Sequence, residues 1–445
     1  MLAFMRLLLP ALLFVVAHIA MEDRLEVPQV ALTHDETAQG MRVVLAPDKS
    51  SPTVAVSITY DFGSRNERPG QTGVASLLHT MGLRDLRNRC KDRLGIPEAE
   101  MDEACRGSIN QERTSYSLTV PADRWESALS LLAEQMRALD IDPARLDRER
   151  ADLLEQHRSG EDAFARAAER LLDLSFTSFA YKHDVDGSAA DLKALTIADV
   201  QRVFQTYVAP NNAALALAGH FDASAVRRAI EKHFGPIPRR GPFPPVSATE
   251  AVPAGERRAV LEEPRATHPQ YLAGYQTVPS NEPDWYALNL LADILGQGET
   301  SRLQRALVAT RLASDLGEGM SESRAPSLFR IRVNLPPGGD IQKVEAVIDA
   351  EIARLQRDGV TEAELTLARS QEREYWKQIL ATARGRAETL SRFSTYYQDP
   401  ERINGELKVI LGMTAGDVQR VARTYLSRER RAVVVTLPAS KAPTR

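Results

Sequence analysis

The chain has 445 residues, 43% hydrophobic and 26% charged, with a formal net charge of −4. That length and apolar content suffice for two or more domains with full cores. Acidic and basic residues are mixed throughout, with no basic stripe interleaved with aromatics, so nucleic acid is excluded as the expected partner.

The first element reads as an export signal. Arg6 gives a positive start, Leu7 to Ala17 form an apolar run, small residues stand at Ala17 and Ala20, and charge resumes at Glu22, Asp23 and Arg24. The run is too short for an ordinary spanning helix, so residues 1–20 are expected to be a leader and no stable membrane span is expected. An uncleaved anchor is the alternative. In an exported chain the only two cysteines, Cys90 and Cys105, suggest one disulfide; two buried free thiols are the other reading.

Strands are expected at Met41–Ala46 and Thr53–Tyr60, separated by the turn Pro47-Asp48-Lys49-Ser50. Then comes Gly73-Val74-Ala75-Ser76-Leu77-Leu78-His79-Thr80-Met81-Gly82. Val74, Leu77, Leu78 and Met81 recur at helical spacing, while Ser76, His79 and Thr80 share another face. Two metal ligands and a general base would fit that face, as in a helical H-x-x-E-H motif. Here the positions hold Ser, His and Thr.

Further along, a helical segment is expected near Pro97–Ala104, a strand at Thr114–Val120, and an amphipathic helix from Pro121 through Met136. Residues 143–175 are helix-rich. Thr196–Tyr207 reads as a capped helix, followed by the Pro210-Asn211-Asn212 turn and a buried strand at Ala213–Ala218. The Pro-rich stretch 236–256 reads as a linker. The helix pattern then repeats: Thr196-x-x-Asp199-Val200-Gln201-Arg202-Val203 matches Thr414-x-x-Asp417-Val418-Gln419-Arg420-Val421, 414 − 196 = 218 residues on. Ala287–Gly296 echoes Gly73–Gly82. The expectation is α+β: two homologous αβ domains, each a sheet with helices on one face, over residues 21–235 and 257–445.

Several motifs, in this order, resemble the pitrilysin/insulinase family of inverted-motif zinc peptidases. They are Gly63-Ser64-Arg65-Asn66-Glu67, then Thr72-Gly73-Val74-Ala75 and the helix, Glu149-Arg150 with Gln156, Gly107-Ser108-Ile109-Asn110 with Thr114 and Tyr116, Tyr207 with Pro210-Asn211-Asn212-Ala213, Gly235-Pro236-Ile237-Pro238, and Leu295-Gly296-Gln297-Gly298 through Leu303. The likeness covers nearly the whole mature chain. It puts Ser76 and Thr80 at the two histidine-ligand positions, His79 at the catalytic glutamate and Gln156 at the third ligand; Glu149, the helper carboxylate, is retained. No catalytic residue, no metal ligand and no cofactor are therefore expected in this chain, zinc belonging only to a partner subunit. Hydroxyls and an amide supply neither the charge nor the basicity of zinc ligands. A rebuilt site on His79 with His157, Glu149 or Glu155 is the weaker alternative. A Ser76–His79 hydrolase is weaker still, since no G-x-S-x-G elbow surrounds Ser76.

What the resemblance implies is a non-catalytic subunit of a heteromeric zinc peptidase in the bacterial periplasm, paired with a zinc-bearing relative and helping to close a chamber around extended peptides. A stand-alone peptide-binding scaffold is the alternative. In relatives the strand matching Asn110–Val120 offers its edge to the peptide. That makes Asn110, Thr114 and Tyr116 candidate peptide contacts, with Arg302 and Arg311 beside them. The family's R-G-L-A-Y stretch corresponds to Arg311-Leu312-Ala313-Ser314, which keeps an Arg but lacks the Tyr.

Overall fold

A computed structural model describes residues 29–159, 163–247 and 249–439. The expected leader, residues 1–20, lies outside them. Two sheets organise the chain. The first has six strands: β1 (Thr33–Glu36), β2 (Arg42–Pro47), β3 (Thr53–Tyr60), β4 (Cys105–Ile109), β5 (Thr114–Pro121) and β6 (Ala213–Gly219), in the order β1-β2-β6-β3-β5-β4. The second has five: β7 (Arg257–Glu263), β8 (Gln270–Gln276), β9 (Asp315–Met320), β10 (Leu328–Asn334) and β11 (Arg431–Pro438), in the order β7-β11-β8-β10-β9.

The repeat seen in sequence is a repeat in topology. β2-β6-β3-β5-β4 and β7-β11-β8-β10-β9 are the same order, and each contains one parallel pair, β2 with β6 and β7 with β11, all other pairings being antiparallel. The helices before β6 and β11, Ile197–Tyr207 and Ala415–Tyr425, both begin with a capping box. Thr196 accepts from Asp199 N–H and Asp199 accepts from Thr196 N–H, and Thr414 and Asp417 do the same. The fold is therefore α+β with two homologous halves.

The longer helices used below are α1 (Val74–Leu94), α2 (Pro143–Ser159), α3 (Ala163–Ser175), α4 (Asp284–Gly296), α5 (Glu362–Ala381) and α6 (Ala383–Tyr396). One face of each sheet carries helices of its own half. The other face is covered by a helix from the opposite half. α3 lies on β7, β8 and β11, burying Ala167 and Leu171 with Leu272, Ala432 and Val434. Helix α6 lies on β2, β3, β5 and β6. There Ser391 Oγ is 2.9 Å from both Ser57 Oγ and Thr59 Oγ1. Packing thus crosses between the two halves. Between them the described residues 238–256 form no helix or strand.

Candidate functional site

Helix α1 begins at Gly73, whose φ of 86° is left-handed and whose missing Cβ leaves room for the Asp186 carbonyl, 2.5 Å from where that atom would be. Its first N–H groups are not left open. Glu67, the last residue of Gly63-Ser64-Arg65-Asn66-Glu67, accepts from Gly73 N–H at 3.0 Å and Ala75 N–H at 2.8 Å. His183 Nε2 lies 3.0 Å from the same carboxylate. Burial pushes the Glu67 carboxyl up, against the pull of His183 and the two amides. Arg65 meets Glu112 at 3.0 Å and Asp61 at 2.7 Å, and Arg324 of the second half reaches the same two carboxylates at 3.8 and 2.5 Å. This motif thus caps the helix, and Arg65 shares its two carboxylates with Arg324, which ties the halves together.

Val74, Leu77, Leu78 and Met81 are buried, as their spacing predicts. On the neighbouring face the three key positions are engaged locally. Ser76 Oγ donates to Asp186 Oδ1 at 2.6 Å, and Thr80 Oγ1 donates back to the Ser76 carbonyl at 2.9 Å. His79 is buried. Its ring stacks on Tyr116 with centroids 5.3 Å apart and planes 23° apart, and Nδ1 has no hydrogen-bond partner. Burial pulls the imidazole down to about 4, outweighing the opposite pull of Asp186. At neutral pH it is uncharged.

Glu149, fully buried on α2, faces Arg84 of α1 across 3.1 Å. Burial pushes its carboxyl up while Arg84 and Arg145 pull it down. Gln156 lies exposed further along α2, and nothing is described of the His157 side chain. Two hydroxyls donating to Asp186 and to the helix backbone, an uncharged imidazole and an exposed amide do not make a zinc donor set. Among the described residues no group of three or more His, Cys, Asp or Glu side chains is placed to hold a metal ion. These residues can support structure and bind polar groups, and the arrangement supplies no activated nucleophile.

The peptide-edge expectation needs a correction. The Thr114–Pro121 strand is interior, paired with β3 on one side and β4 on the other. The edge on that side belongs to Cys105–Ile109, which among the described residues pairs with β5 alone. The side chains of the three candidates there are engaged within the first half. Asn110 Oδ1 accepts from the N–H groups of Glu112 and Arg113, Thr114 Oγ1 donates to the Phe62 carbonyl at 2.9 Å, and Tyr116 lies under His79. They shape the edge and its turn. Sequence missed β4 because Cys-Arg-Gly-Ser-Ile has little strand character of its own.

The edge is fastened from below. Gly107 sits on His79, a Cβ there lying 2.7 Å from Cε1, and Cys105 Sγ meets Cys90 Sγ near the end of α1. Arg302, in contrast, is buried in the second half. It meets both Glu364 oxygens at 2.7 and 2.8 Å and donates to the Gly359 carbonyl at 2.9 Å, so its fork is occupied. Arg311 is exposed, in a left-handed turn with φ 61°. Neither lines the cavity beside β4.

Comparison with known proteins agrees with this architecture. Residues 42–182 match the family model described as insulinase (peptidase family M16), and residues 194–372 that of the peptidase M16 inactive domain. A zinc protease, PqqE, of Helicobacter pylori is 23% identical over 402 residues, spanning 87% of this chain and 88% of that protein. An uncharacterized zinc protease of Mycobacterium tuberculosis is 27% identical over 414 residues, spanning 90% and 92%. The crystal structure of a protease from Helicobacter pylori superposes with a TM-score of 0.84 at 22% identity, covering 92% of this chain and all of that one.

Proposed function

The chain belongs to the insulinase family, peptidase family M16, and from that premise we propose that it is a non-catalytic subunit that binds extended peptide and closes the chamber of a zinc-bearing partner. One observation carries the reading: the metal positions are filled by Ser76, His79, Thr80 and Gln156, while the frame around them is kept. Glu67 still caps the helix, Arg65 still pairs with Glu112, a carboxylate that Arg324 of the second half also reaches, and β4 still presents an edge with no further strand among the described residues. Such an edge can accept a peptide as an added strand through backbone hydrogen bonds, with no metal required.

The leader pattern supports export, and in a bacterium of the two-membrane type that means the periplasm. Among the described residues no helix is long and apolar enough to cross a membrane. The partner is expected to be a family member with an intact H-x-x-E-H helix, held through a large, partly apolar interface.

Mixing this chain with such a relative tests the proposal. Peptidase turnover should rise well above that of the active chain alone, and the two should co-purify. If no such partner co-purifies and the active relative is fully competent by itself, the subunit reading fails and a stand-alone peptide-binding scaffold replaces it.

A further inference from the structure

We infer that the cleft between the edge strand β4 and helices α5 and α6 holds a carboxylate-binding subsite formed by Arg113 and Arg392, so that the peptides bound here are those that carry a carboxylate facing it. The inference rests on the peptide-binding reading above and adds the class of peptide.

The cleft encloses a cavity of about 400 Å³. Its floor is one face of the first sheet. Arg106 and Ser108 of β4 line it together with their cross-strand partners Ser117 and Ser115. Its opposite wall comes from the second half and includes Glu388 and Arg392. A strand added to the outer edge of β4 continues the alternation of the sheet, so every second side chain of the peptide faces this cavity.

The two ends of the cavity differ in charge, the first holding one charge of each sign, Arg106 of β4 and Glu388. Near Ser117, Glu388 accepts from the serine hydroxyl at 2.6 Å. At the end near Ser115 stand two guanidiniums. Arg113 meets Glu322 at 2.5 Å and Arg392 meets the same carboxylate at 3.1 Å. Two cations on one anion leave one positive charge. Tyr397 also donates to Glu322, at 3.0 Å, which occupies that carboxylate further. A second cavity, of about 350 Å³, reaches Arg113 and Arg392 from the other side, so both guanidiniums border open space. Arg330 and Asp184, of opposite charge, line that neighbouring cavity.

Arg113 is held in place by the turn that follows β4, where Asn110 N–H donates to the Arg113 carbonyl at 3.0 Å and Asn110 Oδ1 accepts from Arg113 N–H at 2.9 Å. A guanidinium with donors left over, fixed beside hydroxyls in a half-buried cleft, suits a carboxylate. That carboxylate is either an acidic side chain or the peptide's own C-terminus.

Three fluorescent peptides of about eight residues, a usual strand length, separate the cases. One has an acidic side chain and an amidated end, one has neutral side chains and a free C-terminal carboxylate, and one is neutral and amidated. Binding to the full chain is read by anisotropy. At least one charged peptide should bind about tenfold or more tighter than the neutral one, as a charge-assisted hydrogen bond allows. The one preferred identifies the source. Arg113→Gln should bring that peptide to the neutral peptide's affinity, and Arg392→Lys should reduce its advantage. Raising salt on the unaltered chain should shrink the same preference, a check that involves no substitution. Equal affinity for all three peptides overturns the carboxylate subsite and leaves the peptide-binding reading standing. No binding of any of them overturns both.

Discussion

The imidazole of His79 lies against the ring of Tyr116, 5.3 Å between centroids, beneath the edge strand that carries Gly107. By family resemblance this is the position of a catalytic glutamate. Here the side chain is buried, uncharged and used to support a strand.

That burial has a pH signature. The folded imidazole titrates at about 4 against an ordinary 6.5. The folded state therefore binds fewer protons than the unfolded one between those values. Stability from this group is fully present above pH 6.5 and is lost as pH falls toward 4, by about 3 kcal/mol. Chemical denaturation of the wild type and of His79→Gln across that range checks it: the wild type should lose more stability than the variant. Parallel curves would contradict the assignment.

Asp293 on helix α4 should show the opposite sign. Burial, with Glu372 and Glu318 nearby, pushes its carboxyl up to about 8. The folded state prefers the neutral acid, so this group favours folding below pH 4 and disfavours it progressively as pH rises to 8. Asp293→Asn is expected to melt like the wild type at pH 4. At pH 8 it should be more stable by about 1–2 kcal/mol, a figure discounted for partial exposure.

Much of the fold was legible because its signals are local. The capping boxes at Thr196 and Thr414 mark two helices 218 residues apart, and both are present with the same strand order around them. The apolar stripe of Val74, Leu77, Leu78 and Met81 named the buried face of α1 correctly. What escaped the sequence depends on distant partners. Cys105–Ile109 becomes a strand only by pairing with β5, and Asp186 meets Ser76 from 110 residues away. Helical periodicity likewise shows which side of α3 or α6 is apolar, but not that each covers the sheet of the other half.

Glu67 closes the N-terminus of α1 with two amide contacts and is itself held by His183. Glu67→Ala removes the cap and the carboxylate partner of the half-buried His183, which keeps the Phe179 and Ser64 carbonyls. The expected loss is about 2 kcal/mol, read from a thermal or urea melt. A change within error would show that water replaces the cap.

Cys90 and Cys105 are expected to be oxidised in the exported protein, linking α1 to the first residue of the edge strand. Intact mass with and without reductant should differ by the two thiol hydrogens, and alkylation should label neither cysteine before reduction. Replacing both by alanine closes no loop and should cost about 3 kcal/mol for a separation of 15 residues. Two alkylatable thiols in the native protein would contradict the pairing.

On the reading proposed above, this chain keeps the peptide-binding frame of its family without the metal chemistry. Zinc analysis of the full chain, purified without chelator, loaded with zinc and then dialysed against metal-free buffer, decides the matter. The account predicts well below one tightly held zinc per chain, because Ser76, Thr80 and Gln156 offer no anionic or imidazole ligand and His79 is buried with its neighbours. About one zinc per chain, retained through dialysis and accompanied by chelator-sensitive peptide cleavage, would contradict it.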